Sequence, residues 1–354
     1  MTLLSELCLA PEGDVMGADR GGVDPYELRR EDREGILRLA SSHHVVVRAF
    51  EKLRRFMVDA GSHDWTEWID QVLEAEHGRI RRALTFLSSI CETLNAAGCE
   101  VVVIKSLDHW PDLGSDLDLF SGAKPSKLLR TMKERFQATL APRSWGDRLA
   151  GKWNFVIPGL DELVEVHVGR LGQTGEHVHL ARTLTLRAAQ EQRGEAAFPV
   201  PAVEDRLILA TLQRMYRHFY LRLCDIMNTK RMVEVEVLDY GLLRSTAEAA
   251  GIWHGVATYL VIVSDYIARF RGEPLEIPPF VRAAARFGER QVSFGKGFLR
   301  IPIVPYSARL YASQLFTLMA KRQFAGTARL SLLPGLATAA AVDMVITGSD
   351  KGIW

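Results

Sequence analysis

Cysteine is scarce: the chain has four in 354 residues (Cys8, Cys91, Cys99 and Cys224), none in C-x-x-C spacing. That argues against a disulfide framework or a cysteine zinc site, and predicts reduced thiols in a cytoplasmic protein. A dominant charge is lacking too. With 44 Lys+Arg against 43 Asp+Glu the formal net charge is +1, which speaks against a globally basic nucleic-acid binder. No uncharged apolar run reaches the roughly 18 residues of a membrane span. The nearest, "LSLLPGLATAAAVDMVI", contains Pro334 and Asp343 and reads as a C-terminal helix docked on the body. The opening "MTLLSELCLAPEGD" has neither the basic segment nor the long apolar core of a signal peptide. Internal repeats and low-complexity tracts are also missing. What is present, 47% hydrophobic and 25% charged residues, is ordinary for a globular protein, and the length suffices for two or three domains or subdomains.

Residues 1–30 are rich in Gly, Asp and Pro and read as a loose leader. Residues 31–97 predict helices. The first run ends at Gly61; the second starts near Ser62 or Asp64 as N-cap and carries Ile80, Leu84, Leu87, Cys91 and Leu94 on one face. Gly98 suits the left-handed residue that ends many helices. Residues 98–200 predict an α/β unit: the strand "EVVVIKS", a turn through Pro111 and Gly114, the strand "SDLDLF", a helix from Pro125, then a hairpin of "KWNFVIPG" and "DELVEVHVG". Residues 201–272 read as helical again, with Tyr216, His218, Tyr220, Arg222 and Asp225 in one aromatic-rich helix. Its default role is core packing and internal hydrogen bonding; the alternative is that Asp225 orients a ligand or pairs with Arg222. Pro274, Pro278 and Pro279 break the pattern, and 273–354 reads as a basic extension whose default is a solvated face. The fold class expected is α+β.

Two aspartates sit two residues apart in the apolar "SDLDLF". On a strand, Asp116 and Asp118 project from one face while Leu117 and Leu119 face the other. Two carboxylates so close repel unless a cation neutralises them, and oxygen ligands of this kind suit Mg²⁺ or Mn²⁺. In "LVEVHVG" the same alternation puts Glu165 and His167 on a polar face. If a neighbouring strand brings Glu165 beside the aspartates, three carboxylates can hold two metals about 3.5–4 Å apart. His167, His177 and His179 are too irregularly spaced for a zinc pattern.

The order of these pieces, "VVIKS", "SDLDLF" and "LVEVHVG", resembles the DNA polymerase β-like nucleotidyltransferase superfamily. More narrowly it is similar to a bacterial "uncharacterised nucleotidyltransferase" group with an h-h-K-G turn, a D-h-D-h-h strand and an h-D/E-h-H-W strand. "GILRLASSHHVVVRAFEKL" is similar to that group's N-terminal helices and "HFYLRLCDIMNTKRMV" to its helix with an L-R-x-x-x-D type motif, so the resemblance covers residues 31–270. It implies a small mixed-sheet catalytic domain flanked by N-terminal helices and a C-terminal helical domain. The implied activity is metal-dependent transfer of a nucleoside monophosphate from a nucleoside triphosphate to a hydroxyl-bearing acceptor, a small molecule or protein rather than nucleic acid. Asp116, Asp118 and Glu165 would hold Mg²⁺ or Mn²⁺, with Glu165 or Asp118 polarising the attacking hydroxyl. Ser106 would hold the β- and γ-phosphates, Lys105 would neutralise charge, and His167 would support the ligands or face the acceptor. Gly114-Ser115 resembles the superfamily's Gly-Ser signature but abuts the D-x-D, so Ser115 is only a candidate phosphate contact. Ser106 stands where the group has Gly, Val168 where it has an aromatic, and Asp112-Leu113 where it often has a basic residue. Two alternatives stay open: a D-x-D glycosyltransferase using a sugar nucleotide, and a non-catalytic binding module on a degenerate transferase fold.

Overall fold

A computed structural model describes residues 1–11, 28–336 and 338–339. Helix α1 (Thr2–Leu9) buries Leu3, Leu4, Leu7 and Leu9 in a large helical core. The start of the expected leader is therefore packed structure; residues 12–27 lie outside the described residues. Helices α2 (Arg33–Ser42) and α3 (Val46–Asp59) divide the first predicted helical run, with His44 at φ 52° between them. Apolar periodicity continues across the joint and hides it. The joint is held from a distance: His43 Nδ1 accepts from Leu223 N–H (2.9 Å) and His43 Nε2–H donates to Gly297 C=O (2.7 Å). Helix α4 (His63–Ala96) follows as expected and leaves through Gly98 at φ 68°. Asp64 pairs with Arg33 at 2.5 Å instead of capping.

The α/β unit runs β1 (Val101–Val103), β2 (Asp116–Ser121), α5 (Pro125–Phe136), β3 (Thr139–Leu140), α6 (Trp145–Ala150), β4 (Lys152–Val156) and β5 (Leu163–Val168). The strands form one mixed sheet in the order β1-β2-β5-β4-β3, in which only β2 and β5 are parallel. Val101, Val103, Leu117, Leu119, Val164 and Val166 pack with Leu84, Leu87, Leu128 and Met132 of α4 and α5. Each such side chain contributes about 1.5–3 kcal/mol on burial. A one-residue slip would drive the acids of β2 and β5 into that core, so the register is strongly specified. The opposite sheet face turns toward the helical half, where Phe120 joins the larger core. Asp112 ties the α/β unit to the N-terminal helices by accepting from Val47 N–H and Arg48 Nε–H, both at 2.6 Å.

Helix α7 (Val178–Leu186) and the hairpin β6 (Ala189–Arg193)–β7 (Ala196–Val200) lead to α8 (Val203–Gln213), β8 (Tyr220–Leu221), α9 (Leu223–Glu234), α10 (Tyr240–Ala249) and α11 (Trp253–Arg271). The single helix expected across Tyr216–Asp225 is not continuous. α8 ends in a π-helical turn, Arg214–His218, and the chain reverses at Phe219 (φ 54°). Tyr220 and Arg222 therefore lie outside any helix, except that Arg222 is the N-cap of α9. The cause is non-local: β8 pairs with a strand of the last third of the chain, and Ile301 N–H donates to Phe219 C=O at 2.9 Å.

That last third holds α12 (Pro279–Ala284), β9 (Ser293–Gly295), β10 (Phe298–Arg300), α13 (Ala308–Ala320) and α14 (Phe324–Leu330). The stretch expected as a solvated basic extension is folded onto the body through Leu330. β10 lies between β8 and β9, Leu310, Leu318 and Leu330 are buried, and Arg329 Nη1 donates to the carbonyls of Leu149 and Thr174, each at 3.0 Å. Residue 337 and residues 340–354, the latter including 340–346 of the expected C-terminal helix, are outside the described residues. No helix among the described residues is long and apolar enough to cross a membrane.

Candidate metal site

β2 and β5 run in parallel with Asp118 opposite Glu165 and Phe120 opposite His167. Neighbouring strands are about 4.8 Å apart, so this register alone brings together acids far apart in sequence. One ligand atom each from Asp118, Glu165 and His167 falls within 4.8 Å of the others. Asp116 is one strand-repeat further out on the same face, opposite Leu163; it is exposed at the mouth and outside this close group.

Two lysines already sit on the carboxylates. Lys105 follows β1 in a strained γ-turn: its φ is 65°, and Ser106 N–H donates to Ile104 C=O at 2.7 Å. Its Nζ donates to Asp118 Oδ1 at 2.5 Å and lies 3.9 Å from Glu165 Oε1. Lys152 on β4, opposite His167, donates to Glu165 Oε1 at 2.5 Å. His167 Nε2–H donates to the same oxygen at 2.8 Å, and its Nδ1 is buried with no hydrogen-bond partner.

Burial dominates the electrostatics. It pushes the Asp118 carboxyl up, and the Glu165 charge adds to this while Lys105 opposes it. Burial would raise Glu165 as well, but Lys152, His167 and Lys105 together outweigh it and hold Glu165 well below the usual carboxylate range. Glu165 is thus the ionised member of the pair. Asp116, although exposed at the mouth, is raised by the protein packed around it and then by Glu165. Burial, then the Lys152 charge, lowers His167, so its imidazole is neutral at pH 7. Two carboxylates and a neutral imidazole whose Nε2 faces them, and whose unpartnered Nδ1 can carry the ring proton instead, fit a divalent cation of the Mg²⁺, Mn²⁺ or Zn²⁺ kind. The same carboxylate oxygens hold the two ammonium groups, so a metal would compete with Lys105 and Lys152 for them.

The other expected site residues are placed differently. The Ser106 hydroxyl is engaged with backbone: it accepts from Asp118 N–H (2.7 Å) and donates to Asp116 C=O (3.2 Å). It pins the turn to the start of β2, which is a positioning role and leaves its oxygen committed. Ser115 is exposed on the approach to β2. Asp225 pairs with Arg214 at 2.8 Å, not with the Arg222 side chain; from Arg222 it accepts only the backbone N–H, at 2.7 Å. His177 leaves the histidine trio altogether and meets Gln314 at 2.9 Å.

Neither the known family models nor the curated proteins include a match to this chain. The site must therefore be read from its own chemistry.

Sequence reasoning missed Lys152. A signal existed: in "KWNFV" Lys152 and Asn154 alternate with Trp153 and Phe155, and the hairpin sets them opposite His167 and Glu165. It also missed that the reversal after α8 brings Arg214, Arg217 and Arg222 to the seam between sheet and helices. No local pattern marks that reversal.

Proposed function

We propose that this protein is a metal-dependent nucleotidyltransferase on a polymerase β-like domain, moving a nucleoside monophosphate from a nucleoside triphosphate to a hydroxyl-bearing acceptor. The observation that carries the reading is the convergence of Asp118, Glu165 and His167 from two parallel strands, with Lys105 and Lys152 within reach of the same carboxylates. Asp118 and Glu165 would hold the cation, with Asp116 available at the mouth. A bound divalent cation supplies charge to the phosphate and lowers the barrier to deprotonating the acceptor. Of the two carboxylates Asp118, pushed up by burial to about 7, is the stronger base, and in its ionised form it would take that hydroxyl proton on a carboxylate oxygen. The acceptor oxygen bonds to the α-phosphorus as the bond to the leaving pyrophosphate breaks, and Lys105 and Lys152, released from the carboxylates, turn to the phosphate oxygens.

A non-catalytic binding role is favoured by two observations: the lysines already pair with the acids, and the Ser106 hydroxyl is bonded to backbone. The glycosyltransferase alternative calls for a nucleotide-binding α/β unit ahead of the D-x-D, where the described residues form α1–α4 and the single strand β1. The deciding experiment supplies α-labelled ATP, GTP, CTP and UTP with Mg²⁺ or Mn²⁺ and fractionated cell extract. Label entering an acceptor with wild type and not with Asp118→Asn supports the transferase. Absence of transfer in every fraction leaves the binding module.

A further inference from the structure

The seam facing the metal site holds more positive charge than its acids can match. Lys105 is paired with Asp118, Lys152 with Glu165 and Arg214 with Asp225, and Asp116, the fourth acid, feels Arg222 without forming an ion pair with it. Arg217 and Arg222 have no carboxylate partner among the described residues, although both are partly buried and each has an Nε that is buried without an acceptor. A guanidinium cannot shed its proton to relieve this. Its neighbours yield instead: after burial, Arg217 is the main influence lowering Lys152 and His218, and Arg222 the main one lowering His44.

Both arginines occupy positions that stability alone would not choose. Arg222 is the N-cap of α9, where a cation faces the positive end of the helix dipole and Ser, Thr, Asp or Asn is preferred. It is held there by His44 Nε2 at 2.5 Å and by the Tyr220 ring, 5.7 Å from its guanidinium carbon. Arg217 lies in the π-helical turn, a distortion that recurs at functional sites. It shares the wall of a small cavity, about 50 Å³, with Lys105, His167, Gln173 and Glu176, whose carboxylate accepts from the Thr174 N–H and hydroxyl. Such a space admits the end of an anionic chain and not a nucleoside.

We propose that Arg217 and Arg222 are the polyphosphate grip of this site, the helical half closing the charge balance of a sheet that holds the metal. The planar fork of guanidinium donors matches phosphate oxygens, which would supply the acceptors that the buried Nε–H groups lack. The identity of the anion as the triphosphate of a nucleotide rests on the transferase reading above; the grip itself does not.

The test uses inorganic tripolyphosphate with Mg²⁺ as probe, followed by titration calorimetry on full-length protein. Wild type is expected to bind it. Arg217→Gln and Arg222→Gln should each weaken binding by roughly ten- to a hundredfold, Arg→Lys at either position should restore part of it, and unliganded thermal midpoints should stay level or rise because an unpaired cation is gone. Unchanged affinity in both Gln variants overturns the proposal, as does a wild type that ignores tripolyphosphate or midpoints that collapse. Arginine-dependent tripolyphosphate binding without nucleotide transfer sinks the transferase reading and leaves the grip standing. Transfer by wild type with unaffected tripolyphosphate binding in the variants does the reverse.

Discussion

Two ionic clusters flank the turn after β1, and they are built on different rules. Around Arg206 three arginines meet three acids: Arg206 holds Asp108 at 2.6 Å and Glu236 at 2.8 Å, Arg231 holds Glu236 at 3.0 Å, and Arg193 holds Glu191. Charges balance, and the cluster ties the turn to α8, the end of α9 and the β6–β7 hairpin. Around Asp118 the partners are lysines with one buried, neutral histidine, and arginines beyond them go unmatched. A buried network whose charges balance serves as a lock. One with opposed carboxylates on one side and surplus guanidinium on the other holds the complement of something absent.

Removing a partner should separate the two most sharply. Arg206→Met leaves Asp108 and Glu236 without their central cation and should cost about 3–5 kcal/mol of unfolding free energy in a denaturant titration. Asp118→Asn should leave unfolding nearly unchanged, since burial already disfavours its charge, while Mn²⁺ affinity by calorimetry falls roughly a hundredfold. If Asp118→Asn unfolds the protein as Arg206→Met does, the clusters are alike and the distinction fails.

Lys152→Met sharpens the competition between ammonium and metal. Without metal it strips a buried carboxylate of its cation and should cost about 2 kcal/mol. Added Mn²⁺ should then raise its thermal midpoint by more than it raises that of wild type. An equal shift would mean that Lys152 and metal do not share Glu165.

Acid should act on the seam and spare the Arg206 cluster, which contains no histidine. Burial, with Arg222 behind it, pushes His44 down to about 3, and burial with His44 lowers His109 well below its usual value. Both bind protons less readily folded than unfolded. Stability is therefore full above the unfolded pKa of about 6.5 and falls as pH drops from there toward the folded values, by up to about 1.4 kcal/mol per pH unit for each histidine. His109→Gln, which keeps an acceptor for Asn228, should flatten that slope between pH 6.5 and 5; an unchanged slope would clear His109. The smallest effect belongs to the exposed pair Arg54–Asp70, where Asp70→Ala should leave the unfolding midpoint unmoved.

How much of this was legible follows from the range of each interaction. Strand alternation in "SDLDLF" and "LVEVHVG" placed Asp118 and Glu165 on polar faces, because side-chain direction on a strand is a local property. The hairpin and Gly98 were readable for the same reason. The break at His43–His44, the reversal at Phe219 and the folding back of 279–330 were not, because hydrogen bonds to Leu223, to Gly297 and between β8 and β10 decide them. The backbone engagement of the Ser106 hydroxyl was not legible, because its two partners are backbone groups of Asp116 and Asp118, invisible until the turn closes.

The amino-acid order alone determined which strand face carries acid, where the helices of residues 63–96 and 125–136 run, and that the chain has chemistry to spare on one sheet. Tertiary structure decided the rest: which acids meet, that lysines occupy them, and that an arginine pair from the helical half faces them unpaired. Periodicity encodes the direction in which a side chain points. Charge compensation depends on what arrives from elsewhere in the fold, and that distance exists only once the chain has closed on itself.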